Sequence, residues 1–204
     1  MDIRSITLFC DWHNLPQNIT PFFEAAREAF AYPMQTARAA FSPFPDWFPS
    51  SQPDAVRQFS RQISDHMQTS GADYISLGPV QLDHDATWME IIPTIIGSAD
   101  NLFVTAEIAD VNGRLSPQRA FQLAHIIQQT STIHANGFGN LYLTALACCP
   151  PGSPFFPVAY HRGGDPTFAV AVESADLALT AVQQSQSLAE ARTNLIAAIE
   201  NAAQ

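Results

Sequence analysis

Lysine is absent from this sequence of 204 residues: the nine cationic side chains are all arginine, set against nineteen acidic ones for a formal charge of −10. Surfaces that bind nucleic acid or anionic membrane are rich in Lys and Arg, so neither partner is expected. Cysteine is scarce too. There are three, two of them adjacent (Cys148, Cys149), and an odd number does not make a disulfide framework. Free thiols and a cytoplasmic location are the expectation. Long apolar runs are missing: Ile91–Ile96 is among the longest, far short of a bilayer span. The first residues lack the cationic start and long apolar stretch of a secretory signal. No GxSxG elbow, P-loop or GxGxxG occurs, which leaves triad hydrolysis and nucleotide binding through those motifs without support. Charged residues make up only 14% and hydrophobic ones 47%, a balance that folds around a core and excludes wholesale disorder. The length fits a single domain, 1–204.

Short apolar runs alternate with helical patterns. Ile3–Cys10, Met34–Phe41, Tyr74–Leu77, Leu102–Ile108, Leu141–Cys148 and Thr167–Val172 are rich in Ile, Leu, Val, Phe and Ala and mostly lack polar alternation. Strands covered on both faces read this way. Thr20-Pro21, Ser51-Gln52-Pro53 and Ser116-Pro117 pair a hydroxyl N-cap with a proline suited to a first helical turn, and Ser187 with Glu190 has capping-box spacing. Val56, Phe59, Ile63 and Met67 mark one buried helix face, and Leu188, Ala191, Leu195 and Ile199 another. Pro93 predicts the start of a short helix. This rhythm predicts an α/β fold: a mainly parallel sheet or half-barrel of about five or six strands, each followed by a covering helix, with the first strand near the middle or inner face. Two Pro-rich stretches, Phe41–Pro53 and Cys149–Pro166, read as long loops, which are often functional.

Ligands in parallel α/β folds sit at the carboxyl ends of strands. That rule selects Asp11 and His13 after the first strand, Asp83-His84-Asp85 after the third, and Glu107 and Asp110 at the fourth. The Asp/His clusters could supply metal ligands, or an N-cap and solvated imidazoles; no spacing matches a metal motif, so no metal is assigned. Glu107 lies inside an apolar strand, where a carboxylate must be paired, hydrogen-bonded or protonated. It is a candidate acid/base, or else a structural partner of Arg114, Arg162 or backbone amides. Tyr160-His161-Arg162-Gly163-Gly164 is the most chemically loaded stretch: the guanidinium suits a carboxylate or phosphate, and the glycines admit close backbone approach. The Cys148-Cys149 pair reads as a buried, inert strand end.

Residues Asp73–Val80 (DYISLGPV), Ile92–Ile108 (IPTIIGSADNLFVTAEI) and above all Pro151–Gly163 (PGSPFFPVAYHRG) resemble an uncharacterised microbial family, a domain of unknown function. Phe168–Ala178 and Ser187–Arg192 are similar to it as well. The resemblance implies the ten-stranded α/β barrel of pyruvate formate-lyase-like proteins, with this chain as the N-terminal half of a longer architecture. The glycyl-radical signature of the radical enzymes is absent, so the resemblance implies their fold and not their chemistry.

Two functions are therefore expected as alternatives. One is an enzyme or binder of a small anionic metabolite, with Glu107 and His161 as catalytic residues and Arg162, Tyr160, Asp11 and His13 holding the substrate; its cofactor is left open. The other is a non-catalytic assembly module. Half a barrel with apolar strands and no lysine to guard its edges is also expected to self-associate as a homodimer.

Overall fold

Right-handed crossovers between parallel strands decide where the rest of this chain can go. The computed structural model describes residues 2–15 and 19–202. Strands β1 (Asp2–Cys10), β2 (Ala37–Phe41), β3 (Tyr74–Val80), β4 (Leu102–Ala109), β5 (Leu143–Ala147) and β6 (Thr167–Glu173) form one six-stranded sheet in the order β5-β4-β3-β2-β1-β6. The first five run parallel, each beside the next in the chain, and β6 closes the far edge antiparallel to β1. The sheet is curled into a half-barrel. Helices α1 (Thr20–Glu28), α2 (Pro53–Thr69), α3 (Thr87–Glu90), α4 (Ile92–Ile96) and α5 (Pro117–Thr130) occupy the crossovers, and α6 (Ala175–Gln183) and α7 (Leu188–Ala202) follow β6. Among the described residues no helix is long and apolar enough to cross a membrane.

Because successive crossovers never reverse direction, the helices gather on one face of the sheet. Ala37, Ala39 and Phe41 of β2 and Ile75 and Leu77 of β3 join Val56, Ile63 and Met67 of α2 in the main core. The helix periodicity read from the sequence holds for α2, which buries Val56, Ile63 and Met67, half-buries Phe59, and turns Arg57, Gln58 and Arg61 to solvent. It fails for α7, which buries none of its expected face: Leu188 and Ile199 are exposed and Ala191 and Leu195 only half-buried, because among the described residues no other layer packs over that helix.

The opposite, concave face is covered differently. Strands β5 and β6 lie at opposite edges, so the segment joining them must cross the whole sheet. It does so over the concave face. Ser76 Oγ on β3 donates to the Ala159 carbonyl at 2.6 Å, Thr7 Oγ1 on β1 to the Pro154 carbonyl at 3.4 Å, and His161 N–H to the Phe41 carbonyl at 3.0 Å. Phe9, Ala40 and Ala159 form a small second core beneath it.

Several expectations need correction. The first strand is next to the edge rather than central, because the chain winds in one direction only. β5 is followed by the crossing segment and not by a helix. Met34 makes an isolated bridge to Ile3 ahead of β2, and residues Ala135–Tyr142 form 3-10 turns ahead of β5. Of the proline-adjacent caps, only Ser116 accepts the expected bond, from Arg119 N–H; Ile19 and Gln52 occupy the other two N-cap positions. The capping box of α7 forms by half: Ser187 Oγ accepts the Glu190 N–H at 3.2 Å, while the Glu190 carboxylate accepts the N–H of Gln186 at 2.8 Å, one residue ahead of the cap.

Candidate functional site

The crossing segment and the carboxyl ends of β1, β3 and β4 enclose a cavity of about 590 Å³, a size ordinary for small-molecule sites. Asp11, Glu107, Tyr160, His161 and Arg162 all line it. These five residues come from three separate stretches of sequence. His13 is not in the lining: it is exposed on the 3-10 turn Trp12–Asn14.

Glu107 forms the buried wall. Its neighbours along β4, Ala106 and Ile108, belong to or pack against the main core, and the alternation of a strand turns the carboxylate to the concave side. Its Oε2 accepts the Leu82 N–H at 3.0 Å. Burial pushes its pKa up, the Leu82 amide holds it down, and Asp110 pushes it up further. Of the structural partners expected for Glu107, the backbone amide is the one present and neither arginine is. Arg114 instead bridges Asp83 at 2.7 Å and Asp110 at 3.0 Å.

Tyr160 and His161 are both buried. The Tyr160 hydroxyl donates to the Cys149 carbonyl at 3.0 Å. Burial, and then the nearby Glu107 and Cys149, push its pKa up to about 12, so it stays a neutral hydrogen-bond donor across the physiological range. His161 Nε2 lies 3.4 Å from the Gly164 carbonyl. Arg162 differs from both. It is exposed at the cavity rim, and its guanidinium has no hydrogen-bond or ionic partner among the described residues. The Asp11 carboxylate, half-buried on the wall, has none either.

The Asp83-His84-Asp85 cluster is taken up by structure. His84 Nδ1 accepts the Gln81 N–H at 2.9 Å, which assigns the remaining ring proton to Nε2, 3.2 Å from Asp46 Oδ1. Asp85 Oδ1 accepts from both the N–H and the hydroxyl of Thr87, each at 2.9 Å. Arg119, buried in α5, donates to the His84 carbonyl. Among the described residues no three Asp, Glu, His or Cys side chains converge in a way that could hold a metal ion.

Sequence reasoning missed Ser42, Asp46 and Gln81 of the lining. The signal for Asp46 was present, since it lies in the Pro-rich loop at the carboxyl end of β2 and the strand-end rule applies there too. The cysteine reading is also corrected. β5 ends at Ala147; Cys148 is exposed with a left-handed φ of 55° and Cys149 is half-buried. The inert thiol is Cys10, buried on β1, where burial and then Asp11 push its pKa up to about 12.

The sequence profile of the family described as Uncharacterised ACR (DUF711) matches residues 1–204. No curated protein matches the chain.

Proposed function

The chain belongs over its whole length to this uncharacterised family, and on that premise we propose that it binds, and acts on, a small metabolite carrying an anionic group. One observation carries the reading: a guanidinium without a partner among the described residues, Arg162, stands at the rim of a cavity whose wall holds a buried carboxyl, Glu107. Arg162 anchors the anion, as a planar guanidinium does for carboxylate or phosphate. Glu107, its pKa raised chiefly by burial, is placed to give or take a proton from a ligand in the cavity. His161 and Tyr160 complete the wall and position the ligand. The half-barrel curl supports kinship in fold with pyruvate formate-lyase-like barrels, and the acidic surface and free thiols fit a cytoplasmic protein.

A thermal-shift screen of metabolites against wild type and Arg162→Ala tests the reading, because a ligand that binds only the native state raises Tm by mass action. Losing a hydrogen bond to a charged group costs about 1.5–3 kcal/mol, so the variant should bind roughly 10- to 150-fold more weakly with an unchanged unliganded Tm. If the unliganded Tm falls and affinity is untouched, Arg162 is structural and the reading fails.

A second reading, an assembly module, rests on a different observation. Helices α6 and α7 bury only Ala181 between them and expose Leu179, Val182, Leu188, Ile196 and Ile199, while the edge strand β6 beside them exposes Phe168 and Val172. A chain presenting an unguarded edge and apolar side chains together is expected to pair with a second copy. Sedimentation velocity over a hundredfold range of concentration should then show a monomer giving way to a dimer; a monomer throughout would remove this reading.

A further inference from the structure

The charges around the cavity say more about its ligand than its rim arginine does. An anion alone is a poor match, since carboxylates outnumber guanidinium groups in the lining. Most of those charges are already answered from within. Asp83 and Asp110 share Arg114, at 2.7 and 3.0 Å. Asp46 faces His84 at 3.2 Å. Glu107 takes the Leu82 amide at 3.0 Å. Two charged groups of the lining are left without an ionic or hydrogen-bond partner among the described residues: the Arg162 guanidinium and the Asp11 carboxylate. They line the same cavity and form no ion pair with each other, so each is open to a ligand.

From this we infer that the cavity takes a zwitterion, a free amino acid whose carboxylate meets Arg162 and whose ammonium meets Asp11. The inference rests on the proposed reading of Arg162 as an anion anchor and narrows it to one substrate class. A simple carboxylate would satisfy the arginine and leave its apolar end against Asp11. A simple amine would do the reverse. A zwitterion answers both groups and brings no net charge into a chain that already carries −10. A volume of about 590 Å³ leaves room for a side chain beyond the two ionic ends.

Titration calorimetry and thermal shift with three matched probe sets test this on the intact chain. The sets are free alanine, leucine and asparagine, the same skeletons without the amino group (propionate, 4-methylpentanoate, succinamate), and the same skeletons without the carboxylate (ethylamine, 3-methylbutylamine, β-alanine amide). At least one amino acid is expected to bind more than about tenfold tighter than both of its truncated relatives, a difference the loss of one charged contact accounts for. Asp11→Asn should reduce the amino acid to the affinity of its deaminated skeleton and leave that skeleton unaffected. Its Tm should match wild type, because no hydrogen bond to the Asp11 side chain is lost. Arg162→Ala should weaken both by roughly 10- to 150-fold. If deaminated carboxylates bind as tightly as amino acids, or Asp11→Asn leaves amino-acid affinity unchanged, the zwitterion is wrong while the anion-binding reading stands. If no probe bearing a carboxylate binds at all, the zwitterion falls together with the reading beneath it.

Discussion

Phe41→Ala is expected to lower stability by about 3–5 kcal/mol, the usual range for truncating a buried phenylalanine, and with it Tm by roughly 6–20 °C for a chain of this length. Phe41 is 0% exposed at the carboxyl end of β2. Its ring meets Trp12 edge-on at 5.5 Å and Trp47 at 5.6 Å. Trp12 and Trp47 stack on each other at 5.7 Å, so one ring supports both the turn after β1 and the Pro-rich loop after β2. That loop carries Ser42 and Asp46 into the cavity lining. The variant should therefore lose ligand response as well as stability, measured by urea titration and by thermal shift with the bound metabolite. A cost below about 1 kcal/mol would mean that the aromatic cluster collapses around the gap and that the loop is held by something else.

Gly78→Ala should be nearly as damaging, for a different reason. Gly78 sits in β3 where the register with β4 slips, at φ +79°. A Cβ there would stand 2.7 Å from the Ser42 carbonyl oxygen and 3.0 Å from that of Phe41. Left-handed backbone costs an L-residue about 1–2 kcal/mol, and overpacking against atoms that cannot turn away adds about 1–3 kcal/mol. Gly113→Ala is the matched control: its φ is +82°, yet nothing lies within 4 Å of the added carbon. The excess destabilisation of Gly78→Ala over Gly113→Ala by chemical denaturation isolates the clash. Equal losses would show that conformation alone matters at Gly78.

Much of the fold is legible in the sequence, because strands buried on both faces betray themselves as apolar runs and α2 shows its buried stripe through Val56, Ile63 and Met67. Strand order is less so. The crossover rule makes β1 and β2 neighbours, but nothing local says whether later crossovers reverse direction, and Thr167–Val172 reads the same whether it pairs parallel or antiparallel. The site follows the same division. Rules about strand ends find Asp11 and Glu107, since each is placed by its own strand. They also return His13, because a strand end identifies a region and not which of its residues line the cavity. Glu107's actual partner, the Leu82 amide, and the pairing of Arg114 with Asp83 and Asp110 are long-range outcomes of loop geometry that composition does not encode.

The antiparallel pairing of β6 with β1 joins residues such as Asp2 and Glu173, which leave the ribosome far apart in time. Strands β1 to β5 can assemble in the order of synthesis, each on the last. Throughout that interval the outer edge of β1 stays bare, with unpaired amides and carbonyls open to any passing strand. Until β6 docks, the crossing segment is held by β5 and by its hydrogen bonds to Thr7, Phe41 and Ser76, with its far end untethered. The last strand to emerge thus both seals the oldest edge of the sheet and fixes the far end of the segment that lines the cavity. A nascent or truncated chain lacking β6 is therefore exposed to aggregation and without its anchored crossing segment for one and the same reason.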